Sequence, residues 1–186
     1  MKLAHPFEWL SESTKKTAFI IMFPVTLVIS FIMSNLGNPL KTAAAPGGIV
    51  DYELAGTLDA AQRILASWGQ TERIYAGLGL GFDFVYIIAY SITIALGAVL
   101  VARALTTRIP FLATMGWVIA WTLFIAGIFD GIENYALVQM LIGTPSDGLA
   151  LLARWCAIPK FTIIGIGLVY VLVGTIATLI ERSRQS

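Results

Sequence analysis

Four stretches of the chain run for about 20 residues or longer with almost no charge, and the few charged groups they contain are three acids and one lysine. An α-helix rises about 1.5 Å per residue and a bilayer's hydrocarbon core is about 30 Å thick, so about 20 apolar residues suffice to cross it. The predicted spans are 17–36, 75–102, 111–142 and 159–180, the last beginning as early as Leu149 if the preceding apolar residues join it. Composition agrees: 58% of the 186 residues are apolar and 12% are charged, against about a quarter charged in a soluble globular domain. Alternation of period two is absent, which excludes a barrel of strands. The expected architecture is an all-α, four-helix transmembrane bundle forming a single domain, with the lipid bilayer as its surroundings.

Lys15 and Lys16 ahead of the first run, with Thr42-Ala43-Ala44-Ala45 after it, imitate a cleavable leader. The apolar run is longer than a leader's core and Pro46 would follow the cut, so the first helix is expected to be retained. Several chemistries are excluded. A net charge of +1 without a basic run does not suit a nucleic-acid binder. A single cysteine, Cys156, makes no intrachain disulfide, and one histidine, His5, supplies neither a zinc cluster nor a haem ligand set. His5 reads as a surface residue and Cys156 as a structural one. Dinucleotide, Walker and G-x-S-x-G motifs are all missing.

Orientation follows from Lys and Arg in the flanks. Seven (Lys2, Lys15, Lys16, Arg103, Arg108, Arg182, Arg184) fall on the side of the termini and five (Lys41, Arg63, Arg73, Arg154, Lys160) on the other, which places both termini in the cytoplasm. The outer connection, Gly37 to Ile74, has 38 residues. Within it Leu54, Leu58, Ala61, Leu65 and Trp68 follow helical spacing, predicting an amphipathic helix over about 52–68, either continuous or broken at Gly56, that anchors at the interface or folds over the helix ends as a cap.

Asp83, Asp130 and Lys160 each lie 20 or 21 residues from the cytoplasmic end of their span, taken at Arg103, Pro110 and Glu181. That spacing puts all three on one plane about 30 Å out, at the outer margin of the hydrocarbon. Asp130, Glu133 and Asn134 share one helix face, and Asp83, Tyr86 and Tyr90 line another. Arg154 and Lys160 are the candidate counter-charges, leaving one acid of the three uncompensated, with Arg73 as a further partner. Carboxylates, an amide and phenols are hard donors, suited to Na⁺, Ca²⁺ or Mg²⁺, and equally to a cationic amine or a lipid headgroup. Gly77-x-x-x-Gly81 and Gly127-x-x-x-Gly131 predict close helix packing beside these acids. Trp9, Trp117 and Trp155 fit an interfacial belt and Trp121 fits a packed core.

Three functions remain open on these residues. The cluster Asp83, Tyr86, Tyr90, Asp130, Glu133, Asn134, Arg154 and Lys160 either binds a cation or small amphiphile, or serves as ion pairs in a subunit or assembly factor of a larger membrane complex or homo-oligomer. The third is acid and base catalysis by paired carboxylates on a lipophilic substrate. A polar path for ion conduction is not visible in the inner parts of the spans, where only scattered hydroxyls occur.

Overall fold

The computed structural model describes residues 4–183, with side chains through Ile180, and every regular element among them is helical. Lys2 and Arg184, counted above for orientation, lie outside the described residues. The elements are α1 (Glu12–Gly37), a single 3₁₀ turn (Asn38–Leu40), α2 (Ile49–Glu53), α3 (Leu58–Ser67), α4 (Gln70–Leu105), α5 (Pro110–Leu141) and α6 (Asp147–Ser183). Helices α1, α4, α5 and α6 are long and apolar enough to cross a membrane.

Local chemistry explains the boundaries. The Ser11 hydroxyl accepts from the Thr14 amide at 3.1 Å, which starts α1 ahead of the apolar run. Pro110 opens α5, where a missing N–H costs nothing. Ser146 Oγ accepts from the Leu149 amide at 3.2 Å and begins α6. Of the two starts open for the fourth span the earlier one is close to what is found: α6 begins at Asp147, and Pro159 lies inside one continuous 37-residue helix. A proline removes one intrahelical donor, and the apolar sequence on either side is long enough to carry the helix through.

The chain forms two compact units, and each of the four long helices contributes a segment to both. Unit 1 comprises the residues up to Thr26, Ala89–Ala126 and the chain from Phe161. Its helices approach closely at small residues: a Cβ on Gly97 would stand 3.1 Å from both Phe19 and Val171, and one on Gly167 would stand 3.1 Å from Ile94. Thr26 and Thr93 join their hydroxyls at 2.7 Å, and Tyr170 donates to the Leu112 carbonyl at 2.9 Å. Two expectations are corrected in this unit. His5 is buried rather than on the surface, its Nδ1 accepting from the Phe7 amide at 3.2 Å while Lys15 Nζ lies 3.4 Å from Nε2. Trp121 is about half exposed rather than core, and its indole donates to the Ala4 carbonyl at 2.8 Å. Both follow from the short N-terminal segment folding back onto the helices, a long-range contact that no local pattern encodes.

Unit 2 comprises Leu27–Ile88 and Gly127–Lys160. The predicted amphipathic helix is two helices, α2 and α3, separated at Gly56, whose φ of +71° suits a residue without a Cβ. Thr57 caps α3 by accepting from the Ala60 amide, and Asp147 accepts from the Leu58 amide at 2.8 Å. The apolar stripe packs inward as expected at Ala61, Leu65 and Trp68, while Leu54 is exposed and Tyr52 is buried in its place. Tyr52 and Trp68 meet edge to face at 5.3 Å. Each also uses its polar tip: Tyr52 donates to the Leu137 carbonyl at 3.2 Å and Trp68 to the Leu40 carbonyl at 2.9 Å. Ala76 and Leu80 of α4, Leu137 and Met140 of α5, and Ala150 and Ala153 of α6 complete this core. The G-x-x-x-G spacing of α4 does not make the close contact expected of it, since a Cβ on Gly81 would meet nothing within 4 Å and one on Gly77 only Leu141 at 3.8 Å.

Trp68 is 2% exposed and joins the segment between α1 and α4 to the helix core. Trp68→Ala is expected to cost about 3–5 kcal/mol, and Trp68→Phe distinctly less because most of the buried area is kept. Denaturation followed in detergent micelles measures both.

Candidate functional site

Lys160 is the centre of the charged cluster, and it sits in unit 2 with only 4% of its surface exposed. Its ammonium donates to Glu133 Oε1 at 2.8 Å and to Asp130 Oδ1 at 3.1 Å, and Glu53 Oε2 stands 3.5 Å away. Helix periodicity explains two of these partners. Asp130 and Glu133 are one turn apart on α5, so both carboxylates face the same lysine on α6. Asn134, next on that face, donates through Nδ2 to Asp83 Oδ2 on α4 at 2.6 Å. The sequence-predicted set of Asp83, Asp130, Glu133, Asn134 and Lys160 is therefore brought together.

Other predicted members are placed elsewhere. Arg154 is exposed, and its side chain covers Gly56: a Cβ there would lie 2.5 Å from Arg154 Cδ. It forms no ion pair with the acids among the described residues. Arg73 donates to the Leu65 and Trp68 carbonyls at 2.7 and 3.3 Å, closing the end of α3 rather than joining the acids. Tyr86 is half-buried in unit 2 and accepts from the Ser30 hydroxyl at 3.2 Å. Tyr90 belongs to unit 1, where it is buried.

Glu53 is the residue that sequence reasoning missed. As part of an unbroken helix over 52–68 it would flank the apolar stripe; because α2 ends at Glu53 and α3 begins afresh at Leu58, the phase is reset, and Tyr52 and Glu53 turn inward together. The available signal was the glycine at position 56, which marks that reset. Burial pushes the Glu53 carboxyl above the ordinary glutamate range; the Lys160 ammonium opposes the rise and Asp130 adds to it.

The balance of charge differs from the expected three acids against two cations. Four carboxyls, Glu53, Asp83, Asp130 and Glu133, are grouped with one ammonium, which amounts to −3 if every acid is ionised. Two carboxylate oxygens, Glu53 Oε2 and Glu133 Oε2, are buried without a hydrogen bond. Glu53, Asp83 and Asn134 also line a small recess with about 40 Å³ of room for water-sized spheres, enough for roughly two or three waters by the volume each needs. Its remaining wall is apolar, including Met33, Leu36, Leu40 and Leu80. The hard-cation expectation meets a specific geometry: the acids around Lys160 converge on its ammonium, and among the described residues no three His, Cys, Asp or Glu side chains are set to hold a metal ion.

Comparison with protein-family models, curated proteins and solved structures finds no match to the chain. The site is accordingly read from its own chemistry.

Two outcomes follow. Lys160→Met leaves buried acids uncompensated and is expected to cost about 3–5 kcal/mol, most of it recovered when Asp130→Asn and Glu133→Gln are added, as a denaturation series would read. Because Glu53 holds its proton more tightly in the folded chain than in the unfolded one, its contribution to stability is complete below the ordinary glutamate range and is lost as pH rises through the folded value. Glu53→Gln is therefore expected to lose less stability than the wild type over that rise, read as melting temperature against pH.

Proposed function

We propose that the chain is an integral membrane protein, with both termini cytoplasmic, whose charged recess in unit 2 binds a cation or small amphiphile at the level of the outer leaflet. Four helices of sufficient length and apolarity support the membrane setting. Further support comes from the large apolar side chains that α1 and α6 leave exposed, among them Phe31, Val169 and Leu172, which suit a hydrocarbon surround. The Lys and Arg distribution supports the orientation. In that setting the segment holding α2 and α3 is an extracytoplasmic cap over the acids.

The observation that carries the binding reading is the excess of carboxyls over ammonium at a recess. Structural pairing places Asp130 and Glu133 on Lys160, with Glu53 at 3.5 Å, so that one positive charge is shared among three acids. It does not account for Asp83, whose one hydrogen bond here is to a neutral amide, nor for a recess lined by Asp83 and Glu53 together. A cation entering there would relieve the repulsion among the acids without requiring any of them to be protonated.

Native mass spectrometry of protein released from mild detergent tests this. A stoichiometric small adduct is expected on the wild type, with affinity at least about tenfold lower in Asp83→Asn, a loss of about 1.4 kcal/mol. A bare wild-type chain would overturn the reading, and a co-purifying protein in place of an adduct would favour a complex subunit instead.

A further inference from the structure

His5 is the only histidine of the chain, and it lies in the short segment that precedes α1 and folds back on unit 1. Three contacts dock that segment. The Phe7 ring is buried 6.0 Å from that of Phe124 on α5, the Ala4 carbonyl accepts from the Trp121 indole at 2.8 Å, and His5, itself 8% exposed, stands against Lys15 of α1. Within the segment the Glu8 amide donates to the His5 carbonyl at 3.2 Å and the Leu10 amide to the Phe7 carbonyl at 3.1 Å, so its backbone is turned rather than extended.

Both ring nitrogens of His5 face donors. Nδ1 accepts from the Phe7 amide at 3.2 Å, and Nε2 stands 3.4 Å from Lys15 Nζ. Lys15 is 2% exposed and also donates to Glu12 Oε1 at 2.7 Å. A neutral imidazole accepts at one nitrogen and a protonated one at neither. Protonation therefore sets a ring N–H against the Phe7 N–H and places a second positive charge beside a buried ammonium. From this geometry we infer that the segment 4–10 is a pH-released strap, docked on unit 1 while His5 is neutral and let go when His5 takes a proton.

The charged groups facing His5 come from three places. Lys15 and Glu12 stand on α1, Arg103 on α4, and Glu8 in the segment itself, while α5 meets the segment with the uncharged Trp121 and Phe124. Glu12 is engaged by both Lys15 and Arg103, so its charge is offset before His5 gains one. Glu8 is exposed, where water and salt weaken its attraction. Burial and the Lys15 ammonium push the imidazole below its ordinary value, with Arg103 adding to the fall and Glu8 and Glu12 opposing it. The undocked ring thus binds a proton more readily than the docked one. Docking is complete above the free ring's value of about 6.5 and weakens as pH falls below it, by at most about tenfold per pH unit.

Release uncovers Phe124 and the Trp121 indole on α5 and opens Lys15 to water. The strap thereby couples acidity on the side of the N-terminus to the exposure of an aromatic face in unit 1. It is independent of the binding role proposed above, whose acids lie in unit 2.

The test uses the untagged full chain in nanodiscs. Because there is a single histidine, one NMR resonance of a ring-labelled imidazole reads its titration directly. Amide exchange over residues 5–10, divided by the intrinsic rate at each pH, reads docking. The expected midpoint in the wild type lies below about 6.5, and protection of the segment falls at least about threefold from about pH 7.5 to about pH 5. His5→Gln, which keeps an acceptor and takes no proton, is expected to hold its protection over that range. Phe7→Ala, which loosens docking without altering the ring, is expected to return the midpoint toward about 6.5. A wild-type midpoint at or above about 6.5 would overturn the inference, as would equal protection at both pH values or the same fall in His5→Gln. Should His5→Gln be undocked throughout, Phe7→Ala decides: a midpoint unmoved from that of the wild type would show that the ring's proton affinity does not depend on docking, and the strap would be ruled out.

Discussion

One buried ammonium holds the acids of unit 2 in place. A carboxylate taken out of water loses solvation that a neutral neighbour cannot replace, and the loss is repaid only by an opposite charge at hydrogen-bond distance. Lys160 supplies that charge to Asp130 and Glu133 directly and to Glu53 at slightly longer range. The consequence is geometric as well as energetic. Helix α6 must face α5 at this level, α2 must turn its last residue inward, and Asn134, fixed beside Glu133 on α5, brings Asp83 and so α4 to the same place. Four elements are registered by one lysine and the amide next to its partners.

The arrangement is unbalanced in a way that ordinary structural pairing is not. Replacing a buried ion pair by apolar residues is often neutral or stabilising, so a cluster with four carboxyls for one ammonium is a poor solution to the problem of stability alone. Its surplus lies beside a recess whose opposite wall is hydrocarbon. The proposed binding role draws on both sides of that recess, charge and apolar contact.

Particular residues show where sequence reading succeeds. The four long helices were legible because a run of apolar residues has few alternatives to a helix of that length, and the structure moves their ends by capping groups such as Ser11 and Ser146. The meeting of Asp83, Asp130, Glu133, Asn134 and Lys160 was legible because equal counts along straight helices place residues at equal heights, and spacings of three and four place them on one face. The expected partnership of Arg154 failed because height along a helix says nothing about direction around it, and Arg154 is turned toward Gly56. His5 and Glu53 were misread or missed for a related reason: each belongs to a short segment whose position is decided by what it folds against, and Trp121, on α5, is met by that same N-terminal segment at Ala4.

The amino-acid sequence alone determined the helical class, the four long apolar elements and the common level of the charged residues, because these depend on periodicity and on a fixed rise per residue. Tertiary structure alone decided which acids share the lysine, that a fourth carboxyl enters from α2, and that the surplus charge borders a recess with an apolar wall. Those outcomes depend on the phase reset at Gly56 and on the rotation of each helix about its own axis, and both are set by contacts between residues far apart in the chain.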